Sequence, residues 1–113
     1  MEFDEHLTSP ARLSIIAYLV PGEALTFMEL KRQTGLADGN LHVQTRKLEA
    51  VGYIRIDQTR RGNRPLTRFR ITELGLESLR LHVRKLQSIL ATESGEIRPR
   101  PGSTRVDDSQ VWS

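Results

Sequence analysis

The chain contains no cysteine. That absence excludes a disulfide framework and a thiolate metal site, removes the usual signature of small secreted domains, and leaves an intracellular, cytoplasmic location as the default reading. Long apolar runs are missing too. The longest, residues 13–20, is broken by Ser14 and follows an acidic rather than a basic stretch, so it is expected to be neither a membrane anchor nor a signal peptide. No glycine-rich phosphate loop or nucleophile motif occurs, and His6, His42 and His82 fall on separate predicted elements without metal-ligand spacing. The residues therefore support no catalytic group, no metal and no cofactor. Acid is scarce in one place: between residues 55 and 70 six arginines stand against a single carboxylate, Asp57, although the net charge of the whole chain is only +3. A charge so concentrated needs an anionic partner.

At 113 residues, 37% hydrophobic and 27% charged, the chain has room for one soluble domain with one modest core. Ser9-Pro10 is a helix-start signal, and Leu13, Ile16, Ala17 and Val20 then recur at helical spacing, which predicts a first helix over residues 10–19. Pro21-Gly22 stops it. Thr26-x-x-Glu29 has the form of a capping box opening a short second helix with Phe27 and Leu30 on its buried side, and Gly35 ends that helix. After the connection Gly35-Leu36-Ala37, Asp38 can cap a third helix carrying Leu41, Thr45 and Leu48 at i, i+4 and i+7, closed by Gly52. Helices joined so tightly must cross steeply.

Residues 53–71 read as a hairpin. Tyr53, Arg55 and Asp57 alternate with Ile54 and Ile56, Arg68 and Arg70 alternate with Phe69 and Ile71, and Thr59-Arg60-Arg61-Gly62-Asn63-Arg64-Pro65-Leu66 forms the loop between. Guanidinium groups on a narrow, projecting ribbon suit phosphate and the minor groove of DNA, where the negative potential is deepest. A merely soluble hairpin would intersperse acids, and residues 60–70 contain none.

Thr72 can cap a long fourth helix, predicted over 72–91, in which Leu76, Leu79, Val83, Leu86 and Leu90 fall at steps of 3, 4, 3 and 4. Such a seam meets a partner helix, packs on the chain's own first helix, or divides between the two. His82 lies beside it and reads as an interface or surface residue. Residues 92–113, rich in Gly, Pro, Ser, Arg and Asp, have almost no apolar periodicity and read as a disordered tail containing Trp112.

The segments Leu36-Ala37-Asp38-Gly39-Asn40-Leu41, Arg46-Lys47-Leu48-Glu49-Ala50-Val51-Gly52-Tyr53-Ile54, Arg61-Gly62-Asn63-Arg64-Pro65 and Thr72-Glu73-Leu74-Gly75 together resemble the small winged helix-turn-helix transcriptional regulators. Among these, the likeness is greatest to single-domain regulators near the ArsR and MarR groups. The resemblance implies a mainly α fold with a small β-hairpin (α+β), with residues 1–91 as a winged-helix DNA-binding domain that ends in a long C-terminal dimerisation helix. Two positions depart from the family's pattern: Gln44 is polar where an apolar residue is common, and Thr45 replaces a commonly aliphatic core residue. No inducer pocket or metal motif carries over.

With Leu41, Thr45 and Leu48 turned inward, the opposite face of the third helix presents Asn40, His42, Val43, Arg46 and Lys47, which are base-edge and phosphate chemistries. Gly39 sits at the helix start, where free N–H groups can receive a phosphate and the sugar-phosphate chain can come close. In the wing, Arg61 and Arg64 flank Gly62-Asn63 as minor-groove candidates, with Asn63 between them; Arg60 and Arg68 are assigned to phosphates, Arg55 and Arg70 to structure. The expected protein is a sequence-specific double-stranded DNA-binding transcriptional regulator, homodimeric through Leu76, Leu79, Val83, Leu86 and Leu90, with no membrane association and no small-molecule effector. Two other readings stay open at this point: a winged-helix module whose third helix docks a protein, and an RNA-binding subunit.

Overall fold

Ser9 accepts a hydrogen bond from the Arg12 backbone N–H at 3.3 Å and Pro10 fills the first turn, so α1 (Pro10–Leu19) starts where its sequence signals lie. The computed structural model describes residues 2–96, with side chains to residue 91. The buried residues of α1 are Ile15, Ile16 and Leu19, whereas Ala17 and Val20 of the expected stripe are exposed. The segment is apolar nearly all round, so spacing does not choose its inner face. Arg12 helps set it: its guanidinium donates to the carbonyls of His6 (3.0 Å) and Glu5 (3.1 Å) and to Gln44 Oε1 (2.7 Å).

β1 (Leu25–Thr26) leads straight into α2 (Phe27–Thr34). Thr26 serves both elements, because its backbone lies in the strand while its hydroxyl accepts from Glu29 N (3.2 Å) and its own N–H donates to Glu29 Oε1 (2.8 Å). Gly35 closes α2 in the left-handed region at φ 74°, a conformation that a side chain would strain. In α3 (Asp38–Ala50) the capping position belongs to Ala37, which makes no side-chain cap. Asp38, expected as the cap, is the first helical residue and instead pairs with Lys31 Nζ at 2.7 Å across the turn. Thr45 is buried with its hydroxyl satisfied, donating to the carbonyl of Leu41 (2.8 Å) and lying 3.1 Å from that of His42.

β2 (Ile54–Arg61) and β3 (Arg64–Ile71) form the predicted hairpin, in unbroken antiparallel register from Ile54↔Ile71 to Arg61↔Arg64. Gly62, at φ 64°, supplies the positive φ of its two-residue turn. The hairpin is not alone: β1 pairs with β3 through Leu25↔Phe69 and Thr26↔Arg68, giving a three-stranded sheet of order β1-β3-β2.

Thr72 anchors the next helix to the end of α3. Its N–H donates to Tyr53 O (3.0 Å), its hydroxyl donates to Gly52 O (2.6 Å), and the same hydroxyl accepts from Gly75 N (3.0 Å). α4 (Glu73–Glu96) therefore begins after its cap and extends five residues past the expected end at 91. Of the expected tail, residues 97–113, including Trp112, lie outside the described residues.

The core draws Ile15, Ile16 and Leu19 from α1, Leu30 from α2, Leu41 and Leu48 from α3, and Ile54 and Phe69 from the hairpin. Each such side chain contributes roughly 1.5–3 kcal/mol over its exposed state. Leu7, ahead of α1, is buried completely, and its neighbours act as a strap: Asp4 accepts from the Tyr53 hydroxyl and from His6 N (2.9 Å), and Phe3 meets His82 edge-on at 5.8 Å. His82 is thus 6% exposed rather than on the surface. Leu79 packs against the core and Leu76 is half-buried, so the first part of the seam turns homeward. The compact body ends at Val83, and Arg84 opens a second unit.

Candidate nucleic-acid interface

α3 buries Leu41, Thr45 and Leu48, and this fixes what the helix shows to solvent. Gly39, Asn40, His42, Val43, Arg46 and Lys47 are all exposed, as their spacing predicts. They are not equivalent. Asn40 Oδ1 accepts from Gln44 Nε2 at 3.0 Å, and Gln44 in turn accepts from Arg12, so the polar residue at 44 orders its helix-mate and ties it to α1. His42 stacks on Phe27, ring centroids 4.5 Å apart at 24°, which holds the imidazole toward the sheet side of the helix. Arg46, one turn on, lies on the same side. Lys47 lies on the other, where it borders a cleft of about 360 Å³ with Glu5, His6 and Arg12. A Cβ built on Gly39 would meet nothing within 4 Å, so no contact inside the protein demands glycine there.

The strand register divides the arginines. Side chains alternate between faces, and the inner face, which carries Ile54, Ile56, Phe69 and Ile71, continues outward through Gln58 and Thr67 to Arg60. Arg55, Arg61, Arg64, Arg68 and Arg70 belong to the outer face. Two of these are engaged within the protein and a third is partly covered by it. Arg70 donates to Gly22 O at 2.8 Å, as its structural assignment expects; Arg55 lies 3.7 Å from Asp57; and Arg68 is half-buried opposite Asp57 with its Nε shielded from solvent. The Arg68 charge also reaches Glu29, whose carboxyl is held below its usual range chiefly by the Thr26 N–H, against a smaller effect of burial, with Arg32 and Arg68 adding to the lowering. Arg60 donates to Asn63 O at 3.0 Å and so braces the tip. Arg61 and Arg64 face each other across the turn, exposed, and their guanidinium groups have no hydrogen-bond or ion-pair partner among the described residues.

Between α3 and the inner face of the sheet lies a pocket of about 100 Å³. Phe27, Ile56 and Phe69 make its apolar floor, and His42, Arg46, Gln58 and Thr67 its rim. Gln58 and Thr67 were not singled out from the sequence. The signal was present, since both continue the alternation of Ile56 and Phe69 beyond the core. The pocket joins the helix residues to the base of the wing, while Arg68 is left outside the cluster.

Among the described residues no group of three or more His, Cys, Asp or Glu could hold a metal ion, and no helix is long and apolar enough to cross a membrane.

Among solved structures, the chain is similar to a transcriptional regulator homologue protein from Pyrococcus horikoshii OT3, with 27% identity and a TM-score of 0.73, over 79% of this chain and 88% of that one. It is similar in fold to ytfH from Salmonella typhimurium, named for transcriptional regulation (22% identity, TM-score 0.61, covering 82% and 81%). The same holds for a MarR-family protein from Porphyromonas gingivalis W83 (21%, 0.60, 84% and 86%). None of the curated proteins matches. The family described as winged helix DNA-binding domain matches residues 11–90, from α1 through most of α4. That span covers well over half of the sequence, and the chain belongs to the family of winged helix DNA-binding domains.

Proposed function

We propose that this chain is a cytoplasmic transcriptional regulator that binds double-stranded DNA sequence-specifically as a homodimer. The observation that carries the reading is the pairing of an exposed α3 face, rich in base-reading side chains, with two unpartnered arginines at the tip of a neighbouring ribbon. α3 enters the major groove, where His42 and Val43 meet base edges and Arg46 and Lys47 meet phosphates. Gly39 lets the backbone of the duplex approach the helix start. The wing enters the adjacent minor groove. That groove is only about 6 Å wide, so a ribbon inside it touches both walls, and arginines on either face of the hairpin can reach an anion. Arg61 and Arg64 insert, while Arg60 and Asn63 shape the tip.

The dimer reading is supported by α4, where Val83, Leu86 and Leu90 of the seam are 41%, 42% and 65% exposed and Leu81 and Ile89 are exposed beside them. A row of uncovered large apolar side chains marks an interaction surface. Selection of bound fragments from random duplex DNA at physiological salt tests the function. The expected result is an inverted repeat whose half-sites lie about 34 Å apart, one helical turn. Recovery of fragments with no shared sequence would contradict it.

A further inference from the structure

The two grooves of a B-form duplex are separated by one sugar-phosphate strand. With α3 in a major groove and the wing in the adjacent minor groove, that strand has to cross the surface between helix and sheet. The pocket rimmed by His42, Arg46, Gln58 and Thr67 occupies this surface. From the juxtaposition we infer that the pocket mouth seats a single backbone phosphate, held by Arg46 from α3 and Gln58 from the base of the wing, with Thr67 as a positioning residue. This rests on the groove assignment proposed above.

The donor chemistry fits. Thr67 Oγ1 donates to Gln58 Oε1 at 3.2 Å, which engages the acceptor end of the amide and leaves its two N–H groups for an incoming anion. Arg46 is exposed and its guanidinium has no internal partner among the described residues. His42, fixed by its stack on Phe27, borders the seat. No carboxylate lines the pocket, so no fixed negative charge opposes an anion there. A strand crossing between grooves offers sugar and phosphate rather than base edges, so this contact sets register and affinity without reading sequence.

The test uses the selected duplex with phosphates replaced one at a time by neutral methylphosphonate. For the native protein, one position between the major-groove and minor-groove contacts should weaken binding by about tenfold, as loss of a hydrogen bond to a charged group does. Gln58→Leu, at an exposed position, should bind the unmodified duplex about tenfold more weakly and lose clearly less than the native protein from the neutral linkage at that position, where the Arg46 contact remains. Thr67→Val should lose less, nothing once Gln58 is leucine, and neither variant should change the rank order of duplex sequences. Independent, additive losses at every position, or native affinity in Gln58→Leu, overturn the phosphate seat. If Arg61→Ala/Arg64→Ala still weakens binding in that event, the groove assignment stands and only the seat is lost; native affinity in that double variant too would bring both down.

Discussion

Arg12 Nη1 donates to Gln44 Oε1 at 2.7 Å, joining the first helix to the one assigned to the major groove. The same guanidinium holds the carbonyls of Glu5 and His6, so one side chain gathers the N-terminal strap, α1 and α3. Arg12→Ala strands two carbonyls and an amide oxygen, each a net loss of about 1 kcal/mol. A fall in Tm of at least about 5 °C is expected for a domain of this size. Thermal melting followed by circular dichroism checks it; an unchanged Tm would remove Arg12 from the account of how α3 is held.

Gly75 and Tyr53 set a second constraint. A Cβ on Gly75 would fall 2.2 Å from the Tyr53 carbonyl oxygen, backbone that is already bonded to Thr72 N. Alanine normally favours a helix over glycine by about 1 kcal/mol. Here the clash outweighs it, because neither backbone can withdraw without breaking the cap, and overpacking of this kind costs about 1–3 kcal/mol. Gly75→Ala is therefore expected to lower the urea midpoint, and a raised midpoint would contradict the packing of α4 on this turn.

Tyr53 and Asp4 make stability depend on pH at both extremes. Burial pushes the Asp4 carboxyl up, but the hydrogen bonds from the Tyr53 hydroxyl and the His6 N–H, with the His6 charge, prevail and hold it below its ordinary value. A carboxyl depressed in the folded state contributes stability above its unfolded pKa, near 4, and that contribution is lost as pH falls through the folded value. Burial, followed by the Asp4 contact, raises the Tyr53 hydroxyl against a hydrogen bond from Ser78. Its contribution is complete below its unfolded pKa, about 10, and lost as pH rises through the folded value. The gap in stability between the native chain and Tyr53→Phe should be widest near neutrality and narrow below about pH 4 and above about pH 10. Urea titrations at several pH values measure it, and a constant gap would refute the coupling.

Leu86 is 42% exposed on α4. Leu86→Asp should convert a dimer to a monomer in light scattering, because a charge in an apolar interface stays hydrated only if the interface opens. A native chain that scatters as a monomer at high concentration would end the dimer proposal.

The legible parts of this fold are those with a period. Helical spacing located α1, α2, α3 and the start of α4, and alternation located the hairpin together with its inner face. Where period is lacking, the reading failed. β1 is two residues long and shares Thr26 with a capping box, so the cap masked the strand. The strap ahead of α1 has no repeat, yet it brings Leu7 into the core and Phe3 against His82. α1 is apolar on too many sides for spacing to orient it. The exposed face of α3 was legible because its three buried residues fix the opposite side. The arginines divide by role in the sequence, but their faces need the pairing across the turn: the register assigns Arg60 to one face of the hairpin and the other five to the opposite one.

The account stands most directly on Arg61 and Arg64 at the wing tip. Fluorescence titration of the selected duplex against the native chain and Arg61→Ala/Arg64→Ala, repeated across a salt series, measures their part. Each phosphate neutralised by a cation contributes about −0.9 to the log–log salt slope, so the double variant should bind at least about tenfold more weakly at moderate salt, with a slope shallower by about 1–2. Equal affinity and equal slope in the two proteins would contradict a wing that lies in the minor groove.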